Sequence, residues 1–369
     1  MAANQGTTYW DYLKLEDLLS LQAGIEGDES LLSDDEVLFI TVHQVYELWF
    51  KLVIRGLSTA RDLFSAETVA EQELSGVVER LRRIRTILRV AVQHFEVVET
   101  LGTRDYLRFR TKLMPASGFQ SAQMRQIEIL LGLEESERIP YGSAQGHLAA
   151  LRNRDGSESP ALERVAAQLA DVPTLKQAIE GWLFRTPIDG YGHDHPEADT
   201  KLREFLDRFV AAYEGELDAS RERALALAES AADAARLRDM YDQELANVRR
   251  FFEPAEEEGG FRRARERAAM VFIETYRDLP LLAWPREVLD ALIELEQAFL
   301  IFRQRHARMV ERVIGRRTGT GGTSGVEYLD QTALRYRIFG DLWAVRTLMI
   351  RPEAAPAPER PEFYGFRSL

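Results

Sequence analysis

Apolar residues recur at three- and four-residue spacing along nearly the whole chain, and this spacing places side chains on one face of an α-helix. Strand-like alternation bounded by hairpin turns is scarce. Because interior helical positions reject proline, prolines should fall between the helices, and those at positions 115, 140, 160, 173, 187, 254, 280 and 285 do so. The pattern predicts an all-α protein.

The predicted helices cover most of the chain. They run over about residues 34–65, 71–101, 104–113, 119–131, 145–152, 161–170, 175–184, 199–250, 261–277, 286–314 and 325–349. Residues 199–260 are rich in Ala, Glu, Arg and Asp and end in the acidic run EPAEEEGG. We expect them to form one or two long, mostly solvated helices that protrude from the core, and the ordinary interpretation of such a segment is a surface excursion without chemistry.

The chain has 369 residues, of which 45% are hydrophobic, and this is enough for one large helical core. We divide it into an N-terminal segment (1–33), a core in two parts (34–198 and 261–351), the charged helical excursion between them (199–260) and a proline-rich, extended tail (352–369).

Charge and cysteine content exclude several classes of function. The formal net charge of −13 disfavours nonspecific binding to nucleic acid or to an anionic membrane. The absence of cysteine excludes disulfides, thiolate metal sites and a cysteine nucleophile, and it fits a reducing cytoplasm. The N-terminus lacks the pattern of a signal peptide, and the apolar stretch from Val37 meets Glu47 and Lys51 before the roughly 18 residues of a membrane span. We therefore expect a cytoplasmic protein.

The chain has six histidines, at positions 43, 94, 147, 193, 195 and 306. His43 shares a helical face with Phe39, Tyr46 and Phe50, which places an imidazole in an apolar wall. A lone histidine in such a place is usually a hydrogen-bonded core residue.

His306 lies on an apolar stripe with Phe302, Met309 and Val313, and arginines stand at 303, 305, 308 and 312. Such a stripe suits an iron porphyrin, because the imidazole can bind the iron while arginine pairs with the propionates. From this segment alone, core packing is the commoner explanation.

Three further patterns are weaker. The GHDH sequence at 192–195 offers two imidazoles and a carboxylate, but zinc needs three or four converging ligands. The glycine- and threonine-rich loop at 316–325 could bring backbone amides close to an anion, or it could be a flexible linker. Tyr106 and Arg110 are one helical turn apart, although a solvated arginine is the ordinary interpretation.

Four segments in order, VLFITVHQVYELWFK, PASGFQSAQMRQIE, FRQRHARMVERVIG and TGTGGTSGVEYL, resemble the signature segments of the tryptophan 2,3-dioxygenase family. The similarity extends to TYWDYLKLEDLL near the start and RYRIFGDLWAVRTLMI near the end, so it covers most of the chain outside the charged middle.

The resemblance implies a haem-dependent dioxygenase that inserts O₂ across the indole C2–C3 bond of L-tryptophan. The product would be N-formyl-L-kynurenine, in the first step of the kynurenine pathway of tryptophan catabolism. It also implies a helical core that binds one haem b per subunit, with its iron, and a homotetramer arranged as a dimer of dimers.

Site roles follow from the same resemblance, residue by residue. His306 corresponds to the iron ligand, His43 to the distal residue that faces the indole, and Phe39 to a wall of the substrate pocket. An imidazole of pKa about 6.5 is too weak to remove the indole proton outright, so we assign His43 hydrogen bonding and orientation.

The carboxylate of the substrate would bind Arg110, beside Tyr106, while Thr320 in the glycine-rich loop would bind the ammonium and carboxylate end. Two further groups are implied around them. Ser117 and Gly118 correspond to the border of the distal haem face, and Tyr9, Tyr12 and Leu13 to a segment that enters the pocket of a neighbouring subunit.

Three other functions stay open at this point. A family relative could deliver one oxygen atom to tryptophan or a substituted tryptophan, using the same haem ligand. A helical haem sensor without turnover is a second alternative, and an interaction scaffold without a cofactor is the third. The long acidic middle segment departs from the shortest family members and leaves the oligomer contacts open.

Overall fold

A computed structural model describes residues 7–113, 120–139, 148, 151–153, 155–253, 260–317 and 325–365. Within these ranges the chain forms helices and no β-strand, apart from one isolated antiparallel bridge between Ile188 and Tyr191. The predicted all-α class is confirmed.

Fourteen α-helices are present in the described residues. They are α1 (Tyr9–Leu13), α2 (Leu15–Leu19), α3 (Asp34–Ser65), α4 (Glu71–Val98), α5 (Thr103–Phe109), α6 (Ala122–Leu131), α7 (Pro160–Ala170), α8 (Leu175–Arg185), α9 (Ala198–Ala226), α10 (Ala231–Phe252), α11 (Gly260–Thr275), α12 (Ala283–Ile314), α13 (Gly325–Arg335) and α14 (Gly340–Thr347).

Helix α3 begins at Asp34, where the predicted helix begins. The Ser33 hydroxyl accepts a hydrogen bond from the backbone N–H of Glu36, and three acidic residues occupy the first turn, where they interact favourably with the helix dipole. The Pro160 ring stands at the first turn of α7, a position that tolerates proline because its N–H would have no helical partner.

The core forms where α4 packs against α3 on one side and α12 on the other. Leu57 of α3, Leu81 of α4 and Leu292 of α12 are each 0% exposed. Side chains of the outer two helices also meet at their ends, because Phe302 lies 6.0 Å from Phe50, centroid to centroid. These three long helices carry most of the candidate site.

The charged segment forms an antiparallel hairpin of α9 and α10. Phe205 and Phe209 of α9 are buried in the core, whereas none of residues 218–247 is buried. Ion pairs join the two helices, Arg249 with Glu214 at 3.0 Å near the base and Arg221 with Asp242 at 3.2 Å farther out. The hairpin is therefore anchored at its base and solvated beyond it.

One predicted helix is wrong in its extent. Residues 325–349 form two helices, α13 and α14, rather than one. The buried Glu296 carboxylate accepts hydrogen bonds from the backbone N–H groups of Ile338 and Phe339 and from the indole of Trp343. These bonds satisfy the amides outside a helix, so the chain can turn there.

The tail packs against the body over its described part. Tyr364 is 2% exposed in the short 3₁₀ helix Pro361–Tyr364. Its hydroxyl accepts a hydrogen bond from the N–H of Gly190 and donates one to the carbonyl of Pro187.

Among the described residues, only α3 is long and apolar enough to cross a membrane, by length and composition alone. The same helix contributes Val53, Leu57, Ala60 and Phe64 to the core, each at most 1% exposed.

Candidate active site

Helix α3 carries two neighbouring aromatic rings. Phe39 and His43 are one turn apart, with ring centroids 4.0 Å from each other. The Nδ1 atom of His43 lies 2.7 Å from the Phe39 carbonyl oxygen. Because a carbonyl oxygen can only accept, Nδ1 of the neutral ring carries the proton and Nε2 has the free lone pair.

The surroundings of His43 keep its imidazole neutral. Desolvation by nearby protein lowers the pKa of His43, and the hydrogen bond to Phe39 and the charge of Glu47 oppose this only in part. The side chain is nevertheless accessible in the single chain. The imidazole can therefore reach a ligand while its neutral form is favoured.

Helix α5 brings Tyr106 and Phe109 against the same Phe39 ring, with centroids 5.9 and 5.6 Å from it. Burial raises the pKa of the Tyr106 hydroxyl, while the Arg110 guanidinium lowers it through its charge and through a hydrogen bond that it donates. Arg110 is half-buried at the start of a 3₁₀ turn that follows α5. Four of the predicted site residues, at positions 39, 43, 106 and 110, therefore lie together.

His306 is half-buried on α12. Its ring stacks on Phe95 at 5.7 Å with an interplanar angle of 10°, and Phe302 lies 6.2 Å away. Desolvation, together with the smaller effects of the nearby His43 and Arg303, lowers the pKa of His306 to about 4. No hydrogen bond joins the imidazole to another described residue, so a neutral nitrogen is held among aromatic rings without a polar partner from that part of the chain.

The two imidazoles lie near each other. A positive charge on His43 disfavours a charge on His306, which places the two rings within electrostatic range. Tyr46 of α3 lies one turn beyond His43 and approaches Phe302 at 6.2 Å and Phe95 at 5.3 Å. Aromatic rings from α3, α4 and α12 therefore cluster beside His306.

Three of the four arginines around His306 pair with protein carboxylates, whereas the sequence suggested haem propionates as partners for arginine. Arg303 pairs with Glu128, Arg305 with Glu99, and Arg308 with Asp330 and Glu311. These partners lie on other helices or across a turn, so residue spacing around position 306 could not reveal them.

The available protein ligands fit a metal cofactor in which the cofactor itself supplies the other ligands of the metal. No group of three or more His, Cys, Asp or Glu side chains in the described ranges could hold a bare metal ion, and this includes the GHDH turn. A single neutral imidazole among aromatic rings is instead the donor that an iron porphyrin requires from a protein.

Other predicted site residues cannot be placed beside these. Thr320, Ser117 and Gly118 lie outside the described residues. Tyr9, Tyr12 and Leu13 form α1, where their side chains are 75%, 79% and 42% exposed in the single chain.

Sequence reasoning missed three residues of the site. Phe109 contacts both Phe39 and Tyr106, Phe95 stacks on His306, and Glu47 acts on His43. Phe109 could have been found, since it follows Tyr106 by three residues on the same helix. Phe95 carries no signal of its own, because its partner is 211 positions away in the chain.

The chain is similar to known proteins along most of its length. A family model described as tryptophan 2,3-dioxygenase matches residues 1–349. The chain is 51% identical over 364 residues to a tryptophan 2,3-dioxygenase of Sorangium cellulosum (strain So ce56), covering 97% of this chain and 87% of the relative.

Two further relatives give the same family. A protein of Ralstonia nicotianae (strain ATCC BAA-1114 / GMI1000) named tryptophan 2,3-dioxygenase 2 is 49% identical over 365 residues, covering 97% of both chains. A tryptophan 2,3-dioxygenase of Bdellovibrio bacteriovorus (strain ATCC 15356 / DSM 50701 / NCIMB 9529 / HD100) is 33% identical over 358 residues, covering 95% of both chains.

Proposed function

The chain belongs to the tryptophan 2,3-dioxygenase family, and from that premise we propose which of its residues perform the chemistry. The protein is an oxidoreductase that inserts both atoms of O₂ across the indole C2–C3 bond of L-tryptophan, and N-formyl-L-kynurenine is the product.

The proposed cofactor is haem b, one per chain, with His306 as the protein ligand to iron. Support comes from the neutral imidazole that stacks on Phe95 and has no polar partner among the described residues. The haem, when bound, supplies the binding and activation of O₂. The rings of Phe95 and Phe302 hold the imidazole plane and keep water from that side.

The substrate carboxylate binds the guanidinium of Arg110 in this proposal. Arginine presents two parallel N–H donors that match the two oxygens of a carboxylate. Tyr106 lies beside the guanidinium and Phe39 beside Tyr106, so the ring of an amino acid anchored at Arg110 would pack on the Phe39 ring. Thr320 is proposed to bind the ammonium and carboxylate end, and Ser117 and Gly118 to border the distal face of the haem.

His43 orients the indole. With Nδ1–H donated to the Phe39 carbonyl, Nε2 can accept a hydrogen bond from the indole N–H. Desolvation holds the pKa of His43 below its usual value, so the ring stays neutral at neutral pH and keeps this acceptor. A neutral imidazole is too weak a base to remove the indole proton in a separate step.

The proposed assembly is a cytoplasmic homotetramer, a dimer of dimers. The exposed Tyr9, Tyr12 and Leu13 of α1 support it, because three large side chains on one short helix are costly to leave in water. They would enter the pocket of a neighbouring subunit. Neither nucleic acid nor a membrane is a proposed partner, given the net charge of −13.

The observation that carries the assignment is the grouping of His43, Phe39, Tyr106 and Arg110 across from His306. Turnover of L-tryptophan under ¹⁸O₂ tests it. We expect N-formyl-L-kynurenine that contains two labelled atoms. A product with one labelled atom would identify a monooxygenase, and a haem protein without turnover would identify a sensor.

A further inference from the structure

The N-terminus of α6 is fastened to α3 one turn after His43. The Glu47 carboxylate accepts a hydrogen bond from the Ser121 hydroxyl at 2.7 Å and another from the Gln123 side-chain amide at 2.7 Å. The same amide donates to the Glu47 backbone carbonyl, also at 2.7 Å. The Glu47 side chain of α3 thus binds two side chains at the N-terminus of α6.

The Ser121 side chain has a second role there. Its oxygen accepts the N–H of Met124 and so caps α6, while its hydroxyl proton goes to Glu47. The start of α6 is consequently defined by the same hydrogen bonds that attach it to α3.

The other end of this helix is fastened beside His306. Glu128 is 1% exposed, and its carboxylate binds the guanidinium of Arg303, one turn before His306 on α12, at 2.9 Å. From Ser121 to Glu128 a helix spans about 10 Å. Helix α6 therefore connects the His43 helix to the His306 helix through one glutamate at each end.

We propose that Glu47 is a positioning residue for the dioxygenase reaction, fastening α6 to α3 so that His43 is held at a fixed place across the cavity from His306. The inference rests on the proposed function. His43 and Glu47 are four residues apart and share a helix face, so a rotation or shift of this part of α3 moves both. Hydrogen bonds to a carboxylate are stronger and more directional than those between neutral groups.

Glu47 acts on the part of the site that would bind the indole rather than on the part that would bind the substrate carboxylate. Arg110 and Tyr106 are carried by α5 and the turn that follows it, whereas the hydrogen bonds of the Glu47 side chain are made with Ser121 and Gln123 at the start of α6. Loss of the Glu47 contacts should therefore lower kcat far more than it changes KM.

The experiment compares Glu47→Ala and Glu47→Gln in the haem-loaded enzyme. We expect kcat per bound haem to fall about tenfold in Glu47→Ala with KM for L-tryptophan within about twofold of wild type. Glutamine still accepts a hydrogen bond in the same place, so Glu47→Gln should keep kcat within about threefold.

A second readout does not depend on turnover. Cyanide binding to the ferric protein, followed in the Soret band, reports on the His43 side of the haem. We expect its Kd to shift more than about threefold in Glu47→Ala and to return toward wild type in Glu47→Gln.

Two further variants guard against a trivial loss of folding. Glu244→Ala removes a carboxylate that accepts a hydrogen bond from Tyr213 at 2.7 Å in the distant α9–α10 hairpin, and it should leave kcat and cyanide binding unchanged. Gln123→Ala removes two of the three contacts from the opposite side and should lower kcat in the same direction as Glu47→Ala.

The inference is overturned if Glu47→Ala matches Glu244→Ala in kcat and cyanide Kd, or if Glu47→Gln loses as much kcat as Glu47→Ala. With either result, the wild-type enzyme would still bind haem and turn over L-tryptophan, so the proposed function would stand. A wild type that does neither would instead refute the proposed function.

Discussion

Two side chains of α12, one turn apart, have very different surroundings. Arg303 is 8% exposed, binds Glu128, and lies over the rings of Phe299 and Tyr336 at 4.6 and 4.8 Å. His306 is half-buried and meets the rings of Phe95 and Phe302, with no hydrogen bond to a described residue.

The difference separates a structural site from a ligand site. A buried charge is tolerated when protein groups of opposite charge surround it, and Glu128 is bound by Arg125, Arg138 and Arg303 together. A buried nitrogen that lacks such partners costs free energy unless something else binds it. We therefore expect substitutions in the Glu128 cluster to change stability, and substitutions in the cavity to change ligand binding and turnover.

The largest effect is expected for His306→Ala. Removing the imidazole should abolish stable haem binding, because it removes the proposed protein ligand to the iron, while helix content in circular dichroism stays as in wild type. Haem content is measured by the Soret band and by pyridine haemochrome. A normal haem content in this variant would contradict the assignment of the ligand.

The opposite behaviour is expected for Glu128→Gln. Removing the charge leaves three guanidinium groups facing one another without the anion that they share, and the free energy of unfolding should fall by about 3–5 kcal/mol. Denaturant unfolding measures the loss. Glu163→Gln, which changes an exposed glutamate of α7, is the matched control and should stay within about 0.5 kcal/mol of wild type.

The pH dependence gives the same cluster a second signature. Desolvation alone would raise the pKa of Glu128, but Arg125, Arg303 and Arg138 outweigh it and hold the pKa at about 2. Its stabilisation is therefore fully present above the unfolded pKa of about 4.5 and is lost as the pH falls toward 2. Wild type should lose on the order of 3 kcal/mol over this window that Glu128→Gln does not lose. Equal acid sensitivity in the two proteins would refute the role of the cluster.

The helices and the start of the site could be predicted from local pattern, whereas their long-range partners could not. Apolar spacing predicts α3, and the same spacing puts Phe39 and His43 on one face. The break at 336–339 depends on Glu296, some 42 residues earlier, and so leaves no local mark.

The meeting of α5 with α3 also lies beyond local pattern. Tyr106 and Arg110 share a helix face by spacing, but only the family resemblance suggested that this face joins Phe39. The partner of Arg303 is 175 residues away in the chain. The sequence therefore suggested that an arginine beside His306 pairs with haem propionates. In the structure Arg303 binds Glu128 of α6 instead.

In the cavity, Arg110→Lys should raise KM for L-tryptophan about thirtyfold, which corresponds to about 2 kcal/mol. Lysine keeps the charge but not the two parallel donors. Steady-state kinetics measure it, with the exposed Arg104→Lys of α5 as control. A KM unchanged from wild type would show that the carboxylate is held elsewhere. A large loss of stability in Arg110→Lys would contradict the expected difference between cavity residues and the Glu128 cluster.

A smaller effect is expected for His43→Ala. The variant loses the Nε2 acceptor for the indole N–H, and kcat should fall about tenfold, with looser discrimination between tryptophan and its ring-substituted analogues. Haem content should remain that of wild type, since His306 is intact. Loss of haem from this variant would mean that the two histidines have been assigned in the wrong order.

The most direct test of a shared cavity is titration of the ferrous protein with L-tryptophan while the haem absorption spectrum is recorded. If the indole lies beside the haem, the spectrum changes in a saturable way, and Arg110→Lys needs at least about tenfold more L-tryptophan for half of the change. Calorimetric binding of L-tryptophan that leaves the haem spectrum unaltered would contradict the account, because it would place the amino acid and the haem in separate sites.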